Sequence, residues 1–563
     1  MELDTYQTLI QPVIERATKD PEHSTVVHIH EDNTEERISA RQFHENAVAY
    51  SRALSDIGIG CDDLVILVLK HSPVLLSAFW GALYLGAIPS IFPFLTEKLD
   101  PILYMERVKK LVAHSGAKAV ITFPDFKQDL RVLLADVDCQ VLSTQDVQED
   151  RSEEFTSEFL SHPSSEKIAF LQHSSGTTGL QKGVALSHQA VLNQITAYSL
   201  SIDLQTDDVI VSWLPLYHDM GLIAGFVLPI VTGTLLVLMS PFHWVRDPKI
   251  LLFAIHNYKG TLCWLPNFAY NHLARSLRPR HIEGVDLSHW RAVINCSEPV
   301  YYASHQKFLE RFGEFGFKQE ALSVSYAMAE NTFAVTQTPT GQVPELDWVQ
   351  VGTLQEERRA VPVKEGSAGS VAMVSCGFPI AGTEMAVVGE EGSFLPDRHV
   401  GEIVLRSNCM LTSYYRRPDI TAQAIKNGWY YTGDMGYVAD GQLYISGRKK
   451  DLIIVGGKNV YPQDLEAIAN QVEGIHPGRA VAFGLPDERI GSEVVVMVCE
   501  LSDHTDSFRK SEIERELRHQ VVAQTEVTLS DVRLVKRRWL IKTSSGKIAR
   551  SDNRSKYLSE FRS

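Results

Sequence analysis

The chain has 563 residues, 44% hydrophobic and 22% charged, a length beyond the ~250–300 residues at which one core stops growing and a composition that excludes a disordered chain. At least two packed units are therefore expected. Its 54 basic and 69 acidic side chains leave a formal charge of −15, which argues against nonspecific binding to nucleic acid or anionic membrane and requires a local cationic site for any anionic substrate.

From the N-terminus, Met1-Glu-Leu-Asp lacks the basic region and apolar core of a signal peptide. From about Thr25 to Gly447, apolar strand-like runs at residues 64–69, 119–122, 209–213, 234–239 and 292–295 alternate with helical segments, the pattern of an α/β fold with buried sheets. Residues 74–95 and 220–240 carry no charge over a length close to a membrane span. Pro89 and Pro93 interrupt the first run and Pro229 the second, so each is expected to be a buried helix followed by a buried strand, with no stable membrane insertion. No internal repeat is present.

The pattern changes after Gly447-Arg448-Lys449-Lys450-Asp451. Strands are expected at 452–455, 480–483, 494–499 and 532–535, with helices opening near Pro462 and spanning 511–524: a small α+β unit joined through a polar hinge. This divides the chain into domains 1–447 and 448–563. The seven cysteines (Cys61, Cys139, Cys263, Cys296, Cys376, Cys409, Cys499) are odd in number and form no CxxC pair, which suits reduced thiols and a cytoplasmic location.

Ser174, Ser175, Gly176, Thr177, Thr178, Gly179 and Lys182 follow an apolar strand at 168–171 and precede a helix expected from about Gln189. Small residues let backbone wrap a polyphosphate, hydroxyls and amides donate to it, and Lys182 adds charge. This is not a P-loop, because Gly183 stands where the metal-binding hydroxyl would be. A Ser/Gly-rich surface turn gives the same composition.

Trp213-Leu-Pro-Leu-Tyr-His-Asp-Met-Gly221, Ser325-Tyr-Ala-Met-Ala-Glu330, Tyr431-Thr-Gly-Asp434, Gly447-Arg448 and Thr543-Ser-Ser-Gly-Lys547 follow in order. With the Ser174 stretch, this ordered set resembles the motifs of the adenylate-forming superfamily over nearly the whole chain. The resemblance implies a large N-terminal adenylation domain of layered α/β sheets with several subdomains, plus a small mobile α+β C-terminal domain. It also implies that ATP activates a carboxylic acid as acyl-AMP, with Mg²⁺, and that a thiol then takes the acyl group.

By the same resemblance, Lys547 matches the catalytic lysine bridging substrate carboxylate and α-phosphate, and His218 borders the acyl tunnel and places the carboxylate. Glu330 matches the magnesium ligand, Tyr326 the ring stacking on adenine, and Asp434 and Arg448 the pair holding ribose and phosphate. Ser325 and Ala327 flank Tyr326, where Ala327 replaces the usual Gly. Asn295-Cys-Ser-Glu-Pro299 resembles the opposite adenine wall, with Ser297 and Glu298, and Cys296 and Ser297 depart from its usual wording. Lys450 matches the pivot of the small domain. Asp219 is expected to cap the following helix.

Within the superfamily the chain looks most like the fatty acyl-AMP ligases, through the His218 motif, Asn267-Phe-Ala-Tyr270, Ser297-Glu-Pro-Val300, Val374-Ser-Cys-Gly377 and Tyr461-Pro-Gln-Asp464. Residues 347–369, with Arg358-Arg-Ala-Val-Pro362, are similar to that group's extra segment, which packs on the small domain and disfavours CoA. A fatty acid substrate and a separate acyl carrier protein are thereby implied, since no carrier serine follows Lys547. Lys536, Arg537 and Arg538 are a candidate basic patch for it, though a solvated strand end is the better account of them. The alternatives are a fatty acyl-CoA synthetase, a catalytically silent acyl- or nucleotide-binding homologue, and an amino-acid adenylation domain, for which Asp247 is the available acidic residue.

Overall fold

The computed structural model describes residues 5–95, 101–147, 163–173, 182–455, 458–487, 492–502, 509–525, 527–543 and 546–562. The Ser174 to Gly179 stretch therefore lies outside the described residues, while Lys182 lies within them.

The first uncharged run forms helix Pro73–Leu85, opened by Pro73 in its first turn, closed by left-handed Gly86 and followed by buried strand Ile88–Ile91. Pro89 sits within that strand opposite Val65. The second forms a π-helical stretch Met220–Val227, a short helix Leu228–Thr232 with Pro229 in its first turn, and strand Leu235–Met239. Proline is tolerated in a first helical turn because the N–H it lacks has no partner there in any case. Among the described residues no helix is long and apolar enough to cross a membrane.

Nine strands make one sheet, ordered Phe378–Pro379, Ala334–Gln337, Leu322–Ala327, Ala292–Asn295, Leu262–Leu265, Val209–Ser212, Leu235–Met239, Ser24–Ile29 and Glu35–Ser39. The middle six strands are parallel and the edges antiparallel. A second sheet of seven runs Ser413–Tyr414, Gly183–Ser187, Ile168–His173, Ile88–Ile91, Leu64–Leu67, Ala119–Thr122 and Gln140–Ser143. Helices between them bury Phe79, Trp80, Phe170 and Phe226 in one shared core, as parallel sheets require on both faces. A smaller antiparallel sheet carries Thr383–Val388, Gly401–Ser407, Ile425–Lys426, Trp429–Ala439 and Gln442–Arg448.

The C-terminal sheet has hydrophobic clusters of its own. Strands Ile475–Asp487, Ser492–Leu501 and Leu529–Val535 form one sheet. Ala480 and Ala482 face Leu465, Leu517 and Val521 on one side, and Val481, Phe483 and Leu485 face Leu540 and Tyr557 on the other. That period-two alternation is what a sheet covered by helices on both faces needs.

Candidate active site

The described site residues lie on strand ends and turns at the seam between the large lobe and the small C-terminal sheet. Strand Leu322–Ala327 carries Tyr326 near its end, and the 3₁₀ turn Ala329–Asn331 carries Glu330. Antiparallel pairing of Trp429–Ala439 with Gln442–Arg448 sets Asp434 opposite Arg448. Asp434 Oδ1 lies 2.9 Å from Arg448 Nε, and Oδ2 accepts from the Tyr326 hydroxyl at 2.7 Å. The Asp434 side chain is 9% exposed against 55% for Arg448, so a fixed carboxylate is paired with a guanidinium open to solvent. Asp434 holds the charged form of Arg448, raising its pKa, and burial followed by Asp434 raises that of Tyr326.

Ser325 does not offer its hydroxyl to the cleft, because that group is buried and donates to Thr336 O at 2.9 Å. Glu298 is likewise committed, accepting from Phe268 N at 2.9 Å near the start of helix Asn267–Ser276. Ser297 has φ of 69° and approaches Met220 Sδ at 3.8 Å, joining the Asn295 motif to the His218 motif. Ala327, at the end of its strand, is partly buried against the main core.

Gly221 follows from crowding: a Cβ there would lie 2.2 Å from Pro215 O. Its absence lets the wide π turns sit against the loop presenting His218, and such turns often occur at functional sites. Asp219 accepts from Met220 N at 2.8 Å, capping that segment as its position led one to expect. His218 Nε2 is buried and has no hydrogen-bond partner among the described residues. Burial, then the positive charge of Lys547, pushes the His218 imidazole down to about 3, so it is neutral near pH 7. Burial raises the Asp219 carboxyl and Lys547 opposes this.

Lys547 belongs to the small lobe. Thr543 N donates to Lys547 O at 2.8 Å and Gly546 N to Thr543 O at 2.9 Å, with Gly546 at φ of 81°. Across the seam, the positive charge of Lys547 favours lower pKa values for His218, Asp219 and Cys296. Cys296 is pushed up to about 12, first by burial and then by Asp219, so its thiol stays protonated. Lys542, bridged to Ile548 at the base of the turn, is lowered to about 8, chiefly by burial and then by Arg479.

Three residues at this seam were not among the sequence candidates. The Tyr414 hydroxyl donates to Glu330 Oε1 at 2.8 Å and meets the Tyr430 hydroxyl at 3.0 Å. Lys182 Nζ stands 4.8 Å from the Tyr414 ring centroid, within cation–π range. One tyrosine thus links the lysine of the glycine-rich stretch to the Glu330 carboxylate. Tyr414 lies in no motif, and its place is set by pairing of Ser413–Tyr414 with Gly183–Ser187. Tyr430 directly precedes the Tyr431 motif, and Lys542 directly precedes the Thr543 motif; that adjacency was their only signal.

At the joint, Lys449 Nζ lies 2.8 Å from Glu402 of the large lobe, while Asp451 pairs with Arg550 of the small lobe at 2.6 Å. Lys450 sits between, its pKa lowered by burial and then Arg448. The 347–369 segment opens in strand Leu346–Gln350, which pairs with Ser370–Val374, and continues through helix Val351–Glu356. Its Val349, Leu354 and Ala360 share a cluster with Tyr437, Tyr461 and Leu452, so it bridges the two sides of the joint. Asp347 accepts from Tyr437 at 2.7 Å and Arg398 at 2.8 Å. Asp247 pairs with Lys249 at 3.5 Å, and Lys536, Arg537 and Arg538 are exposed after strand Leu529–Val535.

The sequence profile of the AMP-binding enzyme family matches residues 13–415, and the chain belongs to that family. Within it, the chain is 30% identical to the long-chain-fatty-acid AMP ligase FadD32 of Mycolicibacterium smegmatis, over 94% of this chain and 90% of that protein. It is also 30% identical to the medium-chain-fatty-acid acyl-carrier-protein ligase JamA of Moorena producens, over 92% and 90%. A solved structure from studies of fatty acyl-adenylate ligases of E. coli and L. pneumophila superimposes with a TM-score of 0.90 at 25% identity, covering 100% of this chain and 99% of that one. The α/β architecture with a small C-terminal domain is that of an adenylate-forming enzyme.

Proposed function

We propose that this enzyme uses ATP to convert a fatty acid to acyl-AMP, releasing pyrophosphate, and then passes the acyl group to the phosphopantetheine thiol of a separate acyl carrier protein. The observation that carries this is the set of side chains gathered at the seam, with Asp434 held between Arg448 at 2.9 Å and Tyr326 at 2.7 Å and Glu330 joined through Tyr414 to Lys182. A carboxylate oxygen attacks the α-phosphorus as the bond to pyrophosphate breaks. In the second step the carrier's thiol sulfur attacks the acyl carbonyl, AMP leaves, and the thiol proton passes to solvent.

Attack of an anion on a polyanion is slow unless the oxygens are neutralised and the reactants aligned. Lys547 bridges carboxylate and α-phosphate; neutral His218 borders the carboxylate without adding charge. Asp434 and Arg448 hold ribose and phosphate, Tyr326 and Ala327 line the adenine with Ser297, and the 174–179 stretch and Lys182 grip the phosphates. Ser325 and Glu298 act by holding backbone in place.

The half-buried Glu330 carboxylate, oriented by Tyr414 beside Lys182, fits a magnesium ion, which takes oxygen ligands together with phosphates and water. Such an ion supplies charge neutralisation on the phosphate oxygens. The boundary at 447/448, with Lys450 as pivot, lets one pocket serve both steps by rotation of the small domain. The 347–369 segment biases that rotation against CoA. Seven free thiols suit a reducing, cytoplasmic setting. The Asp247 side chain is partly exposed and pairs with Lys249 at 3.5 Å, which counts against its serving an amino-acid ammonium.

The test is incubation with ATP, MgCl₂ and fatty acids of graded length, following pyrophosphate and acyl-AMP, then adding CoA or a phosphopantetheinylated carrier protein. Fatty-acid-dependent pyrophosphate with acyl transfer to the carrier is expected. Abundant acyl-CoA would overturn the carrier assignment, and absence of fatty-acid-dependent pyrophosphate would overturn acyl activation.

A further inference from the structure

At the outer edge of the nine-stranded sheet, strands Ser24–Ile29 and Glu35–Ser39 pair antiparallel with His28 opposite Glu36. Residues two apart in a strand share a face, so His30 lies beside His28, the rings meeting edge-to-face at 4.6 Å. His30 Nε2 is 3.2 Å from Glu36 Oε2. One ligand atom from each of the three residues lies within 4.8 Å of the other two. His28 is only 4% exposed, and among the described residues neither of its ring nitrogens has a hydrogen-bond partner. A buried imidazole normally satisfies at least one nitrogen.

We propose that His28, His30 and Glu36 form a binding site for a divalent transition-metal ion of the zinc class. Two imidazoles and one carboxylate are a donor set that zinc accepts, with water completing a tetrahedron. Bonds of about 2.0–2.1 Å place tetrahedral ligands about 3.3 Å apart, close to the present His30–Glu36 separation. Rotation of the His28 ring brings its nitrogen to the same ion.

None of the three residues belongs to a motif of the adenylation cleft, so the site's role is structural. It ties the outermost strand to its neighbour at one register and covers part of an exposed sheet edge, where slippage and foreign pairing otherwise begin.

Zn²⁺ alone, titrated into the EDTA-treated full chain against a chromogenic chelator, tests this beside a His30→Gln/Glu36→Gln double variant. Both altered side chains are more than 40% exposed, and the variant is expected to fold and to retain fatty-acid-dependent adenylation. The expected result is one tight equivalent in the unaltered chain, at least a hundredfold weaker binding in the double variant, and tetrahedral visible bands with Co²⁺ in the unaltered chain only. Equal Zn²⁺ affinity in the two proteins, or no tight equivalent in either, would overturn the assignment. His28→Asn, checked by circular dichroism, gives a second route: folded protein that still binds Zn²⁺ as tightly also overturns it.

Discussion

Arg550 Nη1 lies 2.6 Å from Asp451 Oδ2 and fastens the residue after Lys450 to the small lobe. The same guanidinium holds Glu466 at 2.7 Å and donates to Ala482 O at 2.9 Å. All three ionic side chains are under a quarter exposed. Removing Arg550 would strand two partly buried carboxylates, a loss of about 3 kcal/mol. Arg550→Ala should therefore lower the unfolding midpoint of the small lobe in urea; an unchanged midpoint would show that Asp451 and Glu466 are not anchored this way.

Lys547→Ala removes a small-lobe positive charge that favours lower pKa values for His218 and Asp219. Loss of a group aimed at developing transition-state charge costs about 10²–10³ in rate. Fatty-acid-dependent pyrophosphate release should fall by at least that factor, while transfer from synthetic acyl-AMP to carrier protein stays within a few-fold. If both steps fell together, Lys547 would not be specific to adenylation.

Tyr414→Phe keeps the ring beneath Lys182 and deletes the hydroxyl that donates to Glu330. Losing one hydrogen bond to a charged group is worth about 1.5 kcal/mol. Initial-rate kinetics should show KM for MgATP raised roughly tenfold with KM for fatty acid unchanged, and excess MgCl₂ should recover part of the loss.

Leu354→Ala opens the cluster between the 347–369 segment and Tyr461. About 2 kcal/mol of lost packing exceeds the ~1.4 kcal/mol that shifts a two-state balance tenfold. The ratio of acyl-CoA to acyl-carrier product should rise about tenfold, measured by mass spectrometry. No change would remove the segment from acceptor choice.

His188 is buried, its Nδ1 accepts from Leu9 N at 3.3 Å, and burial lowers its pKa from 6.5 to about 4. Between those values the unfolded chain binds a proton that the folded chain does not. Its contribution is thus complete above pH 6.5 and lost as pH falls toward 4, at up to about 1.4 kcal/mol per pH unit. Urea denaturation at pH 7.5 and 5.0 should show a smaller stability difference in His188→Gln than in the unaltered chain.

Much of the fold could be read locally. Uncharged runs interrupted by Pro89, Pro93 and Pro229 became a buried helix and strand each, and the small C-terminal α+β unit is present. These features depend on periodicity and backbone stereochemistry, which act within a few residues. Boundaries shifted modestly: the strand expected over residues 64–69 ends at Leu67, and that expected over 480–483 extends to Ile475–Asp487.

By itself the sequence determined the order of the motifs, the family and the two-lobed plan, because motif spacing is written along one chain. Tertiary structure alone decided that Tyr414 joins Lys182 to Glu330, that Asp434 is shared by Tyr326 and Arg448, and that the hydroxyl of Ser325 turns away. It also set His28 opposite Glu36. Each of these depends on strand register or on contact between distant segments, where a shift of one residue would send the side chain to the opposite face.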